Sequence, residues 1–595
     1  MQGLLKAPLP YFVRRPYHLI LSFMKLLSLP LLFSSLLPAL LLLFSGCGSS
    51  PDSFSAGTDD EQITAARQLI TEEGIMQHVQ ALAHDSTMGR APATEGEQMT
   101  VDYLVRHFED MGLEGGMADG SFIQRVPAIG QQTELDAVMR ITNSETTDEA
   151  PLHSFNHLTD MMAWPAAGQE NVTIRDAEMV YVGYGIIAPE EDWDDYKGMD
   201  VTDKILVFKN SDPSTFPDKF GGNTRLYYGR WSYKYEIAEE LGALGAIIIH
   251  TLPTAGYGWN VVSGGWSRER FALTDEMQAT SETELNSWIT FPAAQALFSS
   301  AGLDIDELLD AAEDPDFEPV PLEDVRLNID LEASYSELEF MNVVATLPGS
   351  DPELRDEHVI FSAHHDHLGV SPTPAEGDSI YNGALDNASG TSAMLEMAKA
   401  FTSIQPEVRR SLTFAAVGAE ESGLLGSRYF AQNLPMPSGK VSANINIDMI
   451  NGFGQTRDVV IVGKGRTSMD AIMEEEAEKM GRYVLPDQDP GQGFYYRSDH
   501  FSFARVGIPA LYPNPGVDYV EDENFHTDVV QPLLRRVYHT VHDTVDEVIT
   551  FKGAEDDMRL LFNVALRVAN DDEVQRWTPG DEFEAARLQA LSELE

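Results

Sequence analysis

The sequence predicts an α/β protein, a sheet covered by helices, and three observations lead there. Between Met341 and about Arg567, strand-like runs alternate with helix-like ones, the pattern of a sheet with helices on its faces. Upstream, from about Pro127 to Leu331, short apolar runs are cut by Gly, Pro and Asp, which reads as a β-rich region of its own. The chain, at 595 residues, also exceeds what one hydrophobic core usually serves.

Composition narrows the class. Apolar residues at 43% and charged residues at 23% are those of a folded chain, not a disordered one. The balance of 40 Lys+Arg against 95 Asp+Glu repels nucleic acid and anionic lipid headgroups and keeps the chain soluble in salt. Residues 1–47 read as an export signal: Lys25 leads into LLSLPLLFSSLLPALLLLFSG, an apolar run broken by Pro30 and Pro38. It ends in FSGC, which resembles a bacterial lipobox with Phe44 in place of the commoner Leu, and Cys47 is the only cysteine. The expectation is an exported lipoprotein, anchored to a membrane through a lipid on Cys47 and facing the periplasm or the cell surface. With Cys47 so used, disulfides and thiol nucleophiles are excluded from the mature chain.

A Ser/Asp/Gly-rich tether follows at 48–61, and residues 62–126 form N-terminal helices. Leu69, Ile70, Ile75, Val79 and Leu82, then Val101, Leu104, Val105 and Phe108, recur at mostly three- and four-residue steps. The β-rich segment spans 127–335, with MVYVGYGII, KILVF and GAIIIH as strands and Tyr235 to Leu244 as a helix. In 336–570 the strands are NVVATL, HVIFSA, SLTFAAVG, ANINIDM, DVVIVG and IPALY. Helices are expected at Ser392 to Phe401, Ser468 to Met480 and Asp557 to Ala569. The acidic tail, 571–595, is expected at the periphery.

Ligands in such sheets collect beyond the carboxyl ends of strands. Four pieces put metal-ligating side chains there: AHHDHLG after Val359 to Phe361, GALDNASG ahead of a helix, the strand ending in Glu420-Glu421, and the strand ending at Asp448. A fifth, YHTVHDTVDE, offers Tyr538, His539, His542 and Asp543 in a loop. Each alone is weak, since a carboxylate at a strand end is more often a cap. Five in one domain, rich in carboxylate and free of sulfur, suit a catalytic site for borderline divalent ions such as zinc, with two metals rather than one closed structural site.

The series AHHDHLG, DNASG, EESGLLGS, NIDM, RSDHFSF, GIPA and YHTVHDT resembles the co-catalytic di-zinc aminopeptidases of metallopeptidase family twenty-eight, which also contains glutamate carboxypeptidase. YVGYGI, WDDYKGMDVTDKILVF and FGGNTRLYYGRWSYKYEIAEELGALGAIIIHT resemble the protease-associated domain inserted in many secreted exopeptidases. The resemblance implies a zinc-exopeptidase mixed sheet covered by helices, with a β-rich protease-associated insertion, and two Zn2+ per chain. It implies His364, Asp386, Glu421, Asp448 and His539 as metal ligands, with Asp386 bridging and Asp366 orienting His364 from behind. Glu420 becomes the general base and acid acting on a metal-bridged hydroxide, and Tyr538 the group that steadies the oxyanion, against the plainer reading of a ring packed on His539. His365, His367, His500 and His542 are then expected off the metals, His526 is set aside, Asp499 supports from behind, and Arg497 could position substrate backbone.

The implied function is a zinc exopeptidase acting on peptide substrates, an aminopeptidase first. A glutamate-releasing carboxypeptidase would need basic residues such as Arg225, Arg230, Arg497 or Arg505 near the site. A receptor-like binding module with a decayed site is disfavoured by the full ligand set, and a single-zinc glutaminyl cyclase by its two-metal character.

Overall fold

Two strands carry the chain between its two lobes. Ile123–Thr133 runs antiparallel to the second half of the 28-residue strand Val320–Leu347, from Ile123 opposite Val343 to Thr133 opposite Ala333. The first half of that long strand pairs instead with Asn171–Tyr181 and Val138–Thr142. The computed structural model describes residues 59–594, apart from 167, 217–218, 275–282, 372–376 and 546–548. The export signal, Cys47 and most of the tether therefore lie outside the described residues. No helix among those described is long and apolar enough to cross a membrane.

The larger lobe is a mixed sheet flanked by helices. Its centre is three mutually parallel neighbours, Ser411–Val417, His358–His364 and Val441–Asn446, buried along their length but for half-buried His358. Continuous burial is why they read as unbroken apolar runs rather than as alternation. Val320–Leu347 pairs antiparallel on one side, and Ala510–Asn514, Asp458–Val462 and Tyr483–Pro486 continue the sheet on the other. Helices Glu72–Leu82, Glu95–Asp110, Gly390–Thr402 and Lys552–Asn570 share one core with the strands. Aromatic rings tie the layers together: Phe361 stacks on its strand neighbour Phe414 at 5.1 Å and meets Phe401 of the helix Gly390–Thr402 at 5.9 Å, and Phe401 stacks on Phe562 of the helix Lys552–Asn570 at 4.5 Å. Fully buried rings of this kind contribute roughly 1.5–3 kcal/mol each.

Helix starts follow their capping residues. Thr71 Oγ1 accepts from Gly74 N, and Thr94 Oγ1 from Glu97 N. Glu97 reaches back to accept from Ala93 N, much as in a capping box, and also accepts from Met341 N, which pins the helix to the sheet.

The smaller lobe has its own cores, built from residues between Met139 and Leu331. Asn171–Tyr181, Ile205–Lys209, Gly245–His250 and Leu285–Thr290 run parallel side by side, with helices packed against them. The helix expected at Tyr235 to Leu244 is Trp231–Glu240, four residues earlier. It stops there because Gly242 takes a φ of +68°, turning the chain into the next strand.

The tail is not peripheral. Trp577 and Arg587 are buried, Trp577 donating to the Gly507 carbonyl and Arg587 to that of Val441, and Glu584–Ser592 is a helix. Its acidic composition hid a small set of anchoring side chains.

Candidate metal centre

The three central strands deliver the site at their carboxyl ends. His364 is the last residue of its strand, Asp448 stands two residues beyond Asn446, and Glu420-Glu421 follow Val417 in a turn. Ala419, Met449 and His539 all have positive φ, at 55°, 53° and 55°. L-residues rarely adopt that conformation, so the turns beside the site hold backbone strain of the kind found at functional centres. Asp386 enters from the loop before helix Gly390–Thr402. There Gly390 is obligatory, because a Cβ would meet the Ile447 carbonyl at 2.4 Å.

Two groups of ligand-type atoms form, sharing one residue. His364, Asp386 and Asp448 offer atoms within 4.8 Å of one another, and so do His367, Asp386 and Glu421. His364 Nε2 lies 3.3 Å from Asp386 Oδ1 and 3.3 Å from Asp448 Oδ1. His539 Nε2 lies 3.2 Å from Asp386 Oδ2 and 3.0 Å from Glu421 Oε2. Asp386 thus turns one oxygen to each imidazole. All five residues expected on the metals are brought together, and so is one expected off them: His367 Nδ1 stands 2.7 Å from Glu421 Oε1. The strand has ended before His367, so the rule of alternating sides no longer keeps it apart from the site.

Buried partners hold each group. The Asp366 carbonyl faces His364 Nδ1 at 3.2 Å, leaving Nε2 for the centre. The Asp366 carboxylate is 3.7 Å from that nitrogen and accepts from Glu420 N at 3.0 Å and Glu421 N at 3.4 Å. It therefore positions the two glutamates as well as the histidine. Asp543 accepts from Leu385 N and Asp386 N. Asp448 accepts from Ser498 Oγ, at the end of a buried polar chain running through Asn446, Ser362 and Asn444. Arg90, wholly buried, donates to the carbonyls of Leu82, His365, Asn382 and Gly383.

The electrostatics separate the two glutamates. Burial, with Glu421, Asp499 and Asp448 nearby, pushes the Glu420 carboxyl well above its ordinary range against the pull of His364. Burial also opposes ionisation of Glu421, but His539 and His367 hold it at about 2. Burial disfavours the charged form of His364 and His539 too, yet the surrounding carboxylates raise both well above 6.5. The two neighbouring carboxyls are thus pushed in opposite directions, Glu420 up and Glu421 down, a division suited to acid–base work.

The other expected residues fall as follows. The Tyr538 ring stacks on that of His539 at 4.0 Å, the packing its plainer reading called for. His365 contacts the Met341 carbonyl, and His500 sits between Tyr495 and Tyr512, driven down to about 3 by burial. Asp499 is buried and raised to about 7 by burial. Arg497 donates to the Ala255 carbonyl in the smaller lobe, and His526 stacks on Tyr519. Sequence reasoning missed Arg90 and His367. Arg90 gave no periodic signal, because its partners lie up to 293 positions away; His367 was visible in the histidine cluster.

The donor set fits divalent metal. It is imidazole and carboxylate without sulfur, the choice for zinc and similar ions, and buried His367 Nε2 has no hydrogen-bond partner among the described residues. The sequence profile of peptidase family M28 matches residues 342–562, the stretch that supplies every one of these ligands. Residues 342–562 are a peptidase family M28 domain. Aminopeptidase YwaD of Bacillus subtilis is 30% identical over 197 residues, covering 32% of this chain and 36% of that protein. Leupeptin-inactivating enzyme 1 of Streptomyces exfoliatus is 31% identical over 183 residues, 30% of this chain and 37% of its own. The matches thus span little more than a third of these relatives. An aminopeptidase structure from Aneurinibacillus sp. strain AM-1 superposes with a TM-score of 0.51 at 18% identity, over 87% of this chain and 97% of its own, a likeness of fold that extends beyond the M28 domain.

Proposed function

We propose that this chain is a two-zinc aminopeptidase that removes N-terminal residues from peptides, exported and held at a membrane by a lipid on Cys47. One observation carries the reading: the two oxygens of Asp386 address two separate imidazoles, at 3.3 and 3.2 Å, as a carboxylate shared by two metals requires. His364 and Asp448 would complete one metal's protein ligands, Glu421 and His539 the other's, with His367 beside Glu421. Zinc bound in such a pair lowers the pKa of water towards about 7 and polarises the scissile carbonyl.

The chain's own groups do the rest. Glu420 takes the water's proton and returns it to the leaving amine, its backbone fixed by the Asp366 carboxylate. Burial suits it to hold that proton between the two transfers. Tyr538, its ring fixed against His539, supplies a hydroxyl to the developing oxyanion. The substrate's free amine is drawn to the carboxylates around the centre. The smaller lobe is assigned as a protease-associated insertion that covers the M28 domain.

The test is to digest a mixed peptide pool with and without chelator and read both ends of the products by mass spectrometry. N-terminal shortening that chelator abolishes is expected. Loss of C-terminal residues would overturn the aminopeptidase assignment, and chelator-insensitive cleavage the metal centre. Glu420→Ala should retain zinc and lose roughly 10²–10⁴-fold in turnover; full activity would remove Glu420 from the mechanism.

A further inference from the structure

In a chain with 95 acidic and 40 basic residues, four arginines line one cavity beside the metal centre. The cavity, of about 310 Å³, lies between the lobes: Arg230, Arg270 and Trp266 line it from the smaller lobe, Ser422, Arg428 and Arg505 from the M28 domain. Ser422 directly follows Glu420-Glu421, so this wall continues the turn that carries the catalytic pair.

Arg230 and Arg270 are the informative members. The Nε atom of each is buried without a hydrogen-bond partner, and among the described residues neither guanidinium forms an ion pair. Burial lowers each only to about 10, so both are cationic at neutral pH. Arg270 lies 3.9 Å from the centre of the Trp266 ring, which fixes its plane. Glu236, the one carboxylate lining the cavity among the described residues, accepts from the Tyr227 hydroxyl at 2.6 Å. The carboxylates that attract them, Glu420 for Arg230 and Glu421 for Arg270, belong to the metal centre and stand beyond ion-pair distance. Desolvated cations without a paired carboxylate are costly to keep, and a planar guanidinium with an unpartnered donor matches a carboxylate in shape and charge. The volume, at the small end for ligand pockets, suits a side chain or a terminal residue.

We propose that Arg230 and Arg270 form a subsite for a carboxylate of the peptide substrate, so that the enzyme prefers peptides bearing an acidic group close to the bond it cleaves. The inference rests on the aminopeptidase reading above and adds the substrate class. That carboxylate has two sources, an acidic side chain or the free C-terminus of a short peptide.

Paired substrates separate them. With zinc-loaded full chain, kcat/KM is measured for Leu-Glu-Ala-amide against Leu-Gln-Ala-amide, and for Leu-Ala-Ala against its amide. At least one pair should favour the carboxylate on the order of tenfold or more. The first pair reports a side-chain source, the second a C-terminal one. In the Arg230→Gln/Arg270→Gln variant the favoured ratio should fall towards one. Should that variant fail to fold, Arg230→Lys and Arg270→Lys, which keep the charge but not the forked contact, should each reduce the ratio. A ratio of one for both pairs in the native enzyme, or a ratio unmoved in the variants, overturns the subsite while N-terminal cleavage stands. Absence of N-terminal cleavage from all four peptides would instead overturn the aminopeptidase reading.

Discussion

Replacing Arg90 by lysine should loosen the metal centre from behind without touching a ligand. The guanidinium donates to four carbonyls at 2.6–2.9 Å, and those of His365, Asn382 and Gly383 lie in the segments that carry His364 and Asp386. The two segments are fitted closely: a Cβ on Gly383, whose φ is +55°, would stand 2.5 Å from His367 Cγ. Lysine keeps the charge but places three donors at one point, so about two of the four contacts are lost. At about 1.5–3 kcal/mol for each hydrogen bond to a charged group, Arg90→Lys should cost about 3–6 kcal/mol. That is a large part of the roughly 5–15 kcal/mol by which folded domains are stable. Urea unfolding with linear extrapolation gives the loss directly, and competition with a chromophoric chelator gives the accompanying fall in zinc affinity. A loss below about 1 kcal/mol with unchanged zinc affinity would refute Arg90 as the brace of these loops.

Glu97 makes stability pH-dependent. Its carboxyl is raised by burial to about 7 from an ordinary value of 4.5. The folded chain therefore binds this proton more tightly than the unfolded one, so the contribution is complete below about pH 4.5 and lost as pH rises through about 7, amounting to roughly 3 kcal/mol. Relative to Glu97→Gln, the native chain should lose about that much between pH 4.5 and 8 in urea titrations; a pH-independent difference would refute the assignment. His367→Gln should weaken one of two zinc-binding steps by about 10–100-fold and spare the other, as read by isothermal titration. Equal affinities in native chain and variant would place His367 outside the centre.

Much of the M28 domain was legible because its central strands are buried on both faces and show as apolar runs such as HVIFSA and SLTFAAVG. The ligands at their ends were legible for the same reason: polarity returns abruptly where each strand stops. Asp386 was not marked by any strand, and only the resemblance singled it out as bridging. Arg90 stayed hidden because a lone arginine in a turn looks like solvated loop until distant segments close around it. The strand Val320–Leu347 was underestimated because its pairing partner changes part-way along, near residue 333, and its sequence shows no turn there. Trp577, Phe583 and Arg587 anchor the tail too sparsely to register against its acidic composition.

The shared carboxylate is the heart of the account, and counting metal tests it most directly. Zinc per chain is measured by elemental mass spectrometry after equilibration with buffered zinc, for the native chain, Asp448→Asn and Asp386→Asn. Two zinc ions in the native chain, one after loss of Asp448 and fewer than one after loss of Asp386 are the predicted result. A native chain holding one, or Asp386→Asn still holding two, would contradict it.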